Sequence, residues 1–105
     1  MDIPDKAVQK TDEFEQWFRG LKDETARNNI IARVDRLAQG NPGDFRQVRP
    51  RVWELRFSGG PGYRVYYTER GRVIILLLLG GSKGTQEQDI EKAYQLSKSI
   101  QTEIH

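Results

Sequence analysis

The chain has 105 residues and no cysteine, and its 17 lysines and arginines against 15 aspartates and glutamates give a net charge of +2. That length fits one domain spanning residues 1–105, and the longest apolar run, Val73 to Leu79, is far short of the ~20 residues of a membrane helix. Without cysteine, and with a single histidine at the last position, His105, the composition excludes a disulfide framework, a thiol nucleophile, sulfur zinc sites and Ser-His-Asp chemistry.

Ala7 to Lys10 reads as a short leading strand. Thr11 is a helix N-cap, with Asp12 and Glu13 in the first turn, where the helix dipole favours anions. Phe14, Trp17, Phe18 and Leu21 then follow at helical spacing, a stripe expected to pack in the core rather than to stack bases. A second helix is predicted over 24–39, with Ala26, Ile30, Val34, Leu37 and Ala38 inward, and Gly40-Asn41-Pro42-Gly43 ends it. The short link at Lys22-Asp23 makes the pair an αα-hairpin.

The period then changes from 3.6 to 2. Val52 to Ser58 alternates Trp53, Leu55 and Phe57 against Glu54, Arg56 and Ser58. Gly59-Gly60-Pro61-Gly62 is a turn, and Tyr63 to Thr68 alternates Tyr63, Val65 and Tyr67 against Arg64, Tyr66 and Thr68. Glu69 to Arg72 turns the chain again. Val73 to Leu79 is apolar throughout, as expected of a strand covered on both faces. Gly80 to Gly84 reads as a loop, and a final helix over 85–102 turns Ile90, Ala93, Leu96 and Ile100 inward. Helices, then an antiparallel meander, then a helix, define an α+β fold: an N-terminal αα-hairpin packed on a small, mainly antiparallel twisted sheet.

The charge is unevenly placed. Residues 46–72 hold Arg46, Arg49, Arg51, Arg56, Arg64, Arg70 and Arg72 against Glu54 and Glu69 alone, while both flanks are slightly acidic. Guanidinium groups bind phosphate through paired hydrogen bonds and stay charged at physiological pH. Such a cluster is the footprint of a polyanion binder, although a solvated basic surface has the same composition.

A hairpin that sets Phe57 opposite Tyr63 sets Arg56 opposite Arg64 and Glu54 opposite Tyr66. Like charges facing each other across a ladder are destabilising, and an anion lying across both arginines would relieve them. Lys83, just past the apolar strand, is close enough to join. Two guanidiniums, an ammonium, a carboxylate and a phenol suit cleavage of an RNA phosphodiester by its own 2′-hydroxyl, which needs a base, cations for the phosphorane and an acid for the leaving oxygen. Glu54 or Lys83 is the candidate base, Arg56 and Arg64 the charge stabilisers, and Tyr66 the proton donor or a platform for a base. The bland alternative is salt bridging by Glu54 and Arg56, with Tyr66 merely packed. Gly80-Gly81-Ser82-Lys83-Gly84-Thr85 lacks the spacing of a phosphate-binding loop and reads as a turn and N-cap.

Several runs together resemble the RelE/ParE toxin superfamily, nearest to its HigB-like addiction module killer proteins. They are Thr11-Asp12-x-Phe14-x-x-Trp17, Arg36-Leu37-x-x-Gly40-Asn41-Pro42-Gly43-Asp44, Glu54-Leu55-Arg56, Gly60-Pro61-Gly62-Tyr63-Arg64-Val65-Tyr66-Tyr67 and Leu79-Gly80-Gly81-x-Lys83-x-x-Gln86-x-x-Asp89-Ile90. The likeness covers about residues 8–98. It implies the toxin of a type II toxin–antitoxin pair, neutralised by a cognate antitoxin that carries a helix-turn-helix domain. Many relatives are ribosome-dependent mRNA endonucleases, which points to Arg56, Arg64, Tyr66 and Lys83 as catalytic residues, with Glu54 beside them. Arg46, Arg49, Arg51, Arg70 and Arg72 are then the RNA-contacting set. No metal or other cofactor is expected. No leader or membrane segment is visible, so the expected location is the cytoplasm, with ribosome and mRNA as partners. Another arm of the superfamily poisons gyrase without nuclease activity, and an inactive toxin-like binding module is a third possibility. Where the branch commonly has Asp, this chain has Ser82.

Overall fold

The computed structural model describes residues 5–71 and 73–103, so two residues considered above, Arg72 and His105, lie outside the described residues. The chain runs β1 (Ala7–Lys10), α1 (Asp12–Gly20), α2 (Glu24–Ala38), β2 (Phe45–Arg49), β3 (Val52–Arg56), β4 (Tyr63–Arg70), β5 (Ile74–Ser82), a single 3-10 turn (Lys83–Thr85) and α3 (Gln86–Glu103). The five strands form one sheet in the order β1-β5-β4-β3-β2. Only β1 runs parallel to its neighbour, so the α+β architecture expected from the sequence is the one observed.

Local chemistry places the helices. Thr11 caps α1 by accepting from the Phe14 amide at 3.0 Å, and its hydroxyl donates to the Leu78 carbonyl at 2.6 Å, tying the helix to β5. Asp23 caps α2 by accepting from the Ala26 amide. Phe14, Ile30, Val34 and Leu37 then bury against Leu55, Val65, Tyr67, Ile75 and Leu77 on one face of the sheet. On the other face, Ile90 and Ala93 of α3 bury against Val52, Tyr66, Leu76, Leu78 and Leu79. β5 is thus enclosed on both sides, as its unbroken apolar run requires.

The strand boundaries differ from expectation in informative ways. β2 has no counterpart in the sequence reading. Phe45-Arg46-Gln47-Val48-Arg49 is a mostly exposed edge strand, so it carries little of the apolar alternation that marks a half-buried one. Arginine on an edge also protects it from pairing with another chain. β3 stops at Arg56, two residues early, because the glycine turn begins to bend the chain there, although the Phe57 amide still donates to the Tyr63 carbonyl. β4 runs on to Arg70, through residues expected to turn.

The largest departure is in β5, which includes Gly80, Gly81 and Ser82 instead of ending at Leu79. Both glycines are there for close approach. The Trp17 ring of α1 lies directly on Gly80, where a Cβ would fall inside it, and the Asp89 carboxylate of α3 lies directly on Gly81 from the opposite face. Alternation along a strand makes this possible with two adjacent residues.

Arg33, which a charge count treats as surface, is a structural clasp. It reaches from α2 to the carbonyls of Pro42, Asp44 and Arg56 at 2.9–3.3 Å, and its guanidinium stacks 4.7 Å from the Phe57 ring centroid. Burial holds its pKa below the ordinary arginine value. The clasp joins the middle of α2, the loop before β2 and the end of β3, and so fixes the backbone of Arg56.

Candidate nucleic-acid interface

The β3–β4 ladder has the inferred register: Arg56 opposite Arg64 and Glu54 opposite Tyr66. Arg46 on β2 lies opposite Glu54. Three neighbouring strands therefore point their polar side chains to the same face of the sheet, the face that carries α3.

Glu54 is the centre of the group and is fully buried. The Arg46 Nε donates to its Oε1 at 3.0 Å, and the Nε atoms of Arg64 and Arg56 stand 3.9 and 4.0 Å from that same oxygen. Its other oxygen, Oε2, accepts from the Gln86 amide at 2.8 Å. One carboxylate thus faces three guanidiniums. At an effective dielectric of about 20, the bare attraction of unit charges 4 Å apart is roughly 4 kcal/mol; solvent screening at the half-exposed Arg46 and Arg56 and the desolvation of Glu54 reduce it, and the guanidiniums repel one another. The cluster retains two surplus positive charges.

Two of those guanidiniums have hydrogen-bonding capacity left over. Arg64 is 6% exposed; its Nη1 donates to the Gly62 and Tyr63 carbonyls at 3.0 and 3.1 Å, while its Nε is buried without a partner. The Nε of Arg56 is likewise buried and unpartnered, although 42% of that side chain is exposed. Buried donors left unpaired cost about 1–3 kcal/mol each. An anion at the open end of the cluster, held by the exposed nitrogens of Arg46 and Arg56, would offset the surplus charge. Lys83 stands at that end: it is exposed, its amide donates to the Pro61 carbonyl, and its Cβ flanks Gly62 beside the Arg64 Nη1.

Tyr66 is different. It is fully buried beneath α3, and its hydroxyl has no hydrogen-bond partner. Burial first, and then the Glu54 charge, push its pKa well above the ordinary 10.0. Neither Tyr66 nor Glu54 reaches solvent in this conformation, so neither can touch a phosphate directly. Of the five residues proposed for catalysis, the fold brings all into one neighbourhood and exposes Arg56 and Lys83, with Arg64 just beneath.

The other arginines divide by position. Arg46 belongs to the cluster. Arg49 and Arg51 are exposed at the β2–β3 turn, and Arg70 is near the end of β4, all at the far end of the sheet. The fold therefore separates a stretch that is continuous in sequence into two groups.

Gln86 and Asp89 have no assigned role in the sequence reading, although both fall within the motifs quoted there. They occupy the first turn of α3, on the side that meets Glu54 and Gly81. Asp89 accepts a short hydrogen bond from the Thr85 hydroxyl and adds to the negative field at Tyr66. Their three-residue spacing, continued by Ile90 and Ala93, places them on one helix face and is the signal that could have found them. Among the described residues, no group of three or more His, Asp or Glu side chains is arranged to hold a metal ion, and no helix is long and apolar enough to cross a membrane.

Fold and site together define a small α+β domain with a convergent arginine cluster at one end of its sheet. The chain belongs to the family described as phage derived protein Gp49-like (DUF891), whose profile matches residues 16–98. It is also similar to an uncharacterized protein of Haemophilus influenzae, 40% identical over 93 residues that cover 89% of this chain and 94% of that one.

Proposed function

We propose that this chain is the toxin of a type II toxin–antitoxin module, a cytoplasmic mRNA endonuclease that acts on the ribosome and is held inactive by a cognate antitoxin, with no cofactor. Its membership of a phage-derived family and its resemblance to RelE-like toxins support the module. The observation that carries the nuclease reading is the convergence of three guanidinium Nε atoms on a single buried carboxylate oxygen, which leaves excess positive charge beside an exposed lysine.

The proposed reaction is attack by a 2′-hydroxyl on its neighbouring phosphorus. The hydroxyl proton goes to a base, the bond to the 5′ oxygen breaks, and that oxygen takes up a proton, leaving a cyclic phosphate and a 5′-hydroxyl. Arg56 and Arg64 stabilise the phosphorane, and Lys83 is the exposed group suited to proton exchange. Glu54 holds the guanidiniums in place instead of taking the proton itself, and Tyr66 supports the cluster from below. Such modest acid–base equipment fits an enzyme that relies on the ribosome to order its substrate.

Burial of both Glu54 and Tyr66 favours a second reading, a toxin that binds its target, such as gyrase, without chemistry. Expression of the chain without antitoxin, followed by primer extension across translated messages, separates the two. The nuclease reading expects new 5′ ends that disappear with Arg56→Gln, a half-exposed position chosen so that folding survives, and with Arg64→Ala. Growth arrest with intact messages and broken chromosomal DNA would favour the second reading and overturn the first.

A further inference from the structure

We propose that the β2–β3 turn is a second polyanion-binding site, separate from the arginine cluster and contacting a different part of the same RNA strand. This rests on the polyanion reading of the cluster and adds a footprint to it. Arg49 pairs with Val52 beside the β2–β3 turn, Arg51 lies in that turn, and Arg70 closes β4 at the same end of the sheet, because the start of β3 runs antiparallel to the end of β4. Glu69 is the acidic residue of this corner, and Lys6 engages it at 3.3 Å. Its charge is thus already matched, which leaves the arginines in excess.

Arg51 provides the independent observation. It is the one described non-glycine residue with positive φ, at 63°, and it is exposed. Glycine or asparagine adopts that conformation readily in a tight turn, whereas a long side chain pays about 1 kcal/mol there. Folding gives no reason for arginine at this place, and no described hydrogen bond or ion pair ties its side chain down. Among the described residues, neighbouring Arg49 donates only to the carbonyl of Val48. A strained backbone position that carries an exposed arginine, two residues from another exposed arginine, is explained by something that binds it.

From Arg51 to Arg56 is five residues of extended chain, about 16 Å at the usual strand rise. No single phosphate spans that distance, but a single strand lying along β2 does. Arg46, between the two ends and half exposed, marks the path. The ligand is therefore a single-stranded RNA backbone several nucleotides long, read through its phosphates and without base specificity at this end.

The test compares binding of a cleavage-resistant 2′-O-methyl dinucleotide and an octanucleotide to the intact protein, by fluorescence anisotropy at several salt concentrations. Wild type should bind the octanucleotide much more tightly. Arg51→Gly and Arg49→Gln should each weaken the octanucleotide about tenfold, flatten its log–log salt dependence by ~0.7 per lost contact, and leave the dinucleotide unchanged. Arg51→Gly should melt no lower than wild type, which separates the loss from misfolding. Arg56→Gln should weaken both lengths. Equal losses at both lengths for the turn variants, or no loss at either, would overturn the second site. If wild type binds neither RNA while folded, the polyanion reading beneath the proposal fails instead.

Discussion

At Glu54 a single side chain sets the positions of three others. A buried carboxylate is costly to desolvate, and it is kept here because Arg46 and Gln86 hold its two oxygens while Arg56 and Arg64 face it. Removing its charge with Glu54→Gln leaves Arg64 buried beside other cations and should destabilise the protein by about 3 kcal/mol. Gln86→Leu removes only the donor to Oε2 and should cost about 1–2 kcal/mol. Urea unfolding of the two variants checks both the sign and the order. If Glu54→Gln were the milder change, the carboxylate would not be organising the guanidiniums. The alternation around Glu54, Arg56, Arg64 and Tyr66 was legible in the sequence because a period of two needs only the residue types. The depth at which Glu54 and Tyr66 sit was not, because it depends on α3 folding back across a face that the strand pattern marks as polar.

Elements meet most tightly where β5 carries Gly80 and Gly81. Gly80→Ala drives a methyl group into the Trp17 ring and should cost about 3 kcal/mol, the upper end for an overpacked contact. Combining it with Trp17→Ala should recover part of that loss, and a double-mutant cycle on chemical-denaturation data measures the coupling. Additive losses would show that the ring is not what Gly80 accommodates. The helices were well marked in advance by Thr11, Asp23 and the apolar spacing of α1 and α2. The Gly80–Gly81 segment reads as a loop, since glycine usually signals a break, yet it is strand, paired with Val65 and Arg64 and covered by Trp17 and Asp89 on its two faces. β2 escaped detection for the opposite reason, its exposure.

Across the whole molecule, the sheet register sorts the arginines more decisively than their order in the chain does. The sequence concentrates guanidinium between residues 46 and 72, and the fold divides its described members between the Glu54 cluster and the opposite end of the sheet. Arg33, outside that stretch, proves to be a clasp. The two buried phenols act globally as well. Burial is the main cause that raises the pKa of both Tyr66 and Tyr67 above the ordinary 10.0. The folded chain then keeps protons that the unfolded chain releases, so their stabilising effect is intact below pH ~10 and declines as pH rises above it. With both tyrosines contributing, the decline approaches ~2.7 kcal/mol per pH unit. Thermal melts between pH 8 and 11 should show it, and Tyr66→Phe should roughly halve the slope. A melting profile flat across that range would mean that both phenols ionise freely in the folded state.

Where Trp17 and Asp89 press on adjacent glycines from opposite sides, a single backbone thickness separates an indole from the first turn of α3. Any ligand that draws Gln86 or Asp89 away from the sheet alters the electric field across the peptide unit beneath the indole. Emission from Trp17, resolved by replacing Trp53 with Phe, should therefore shift on that event, with no label attached.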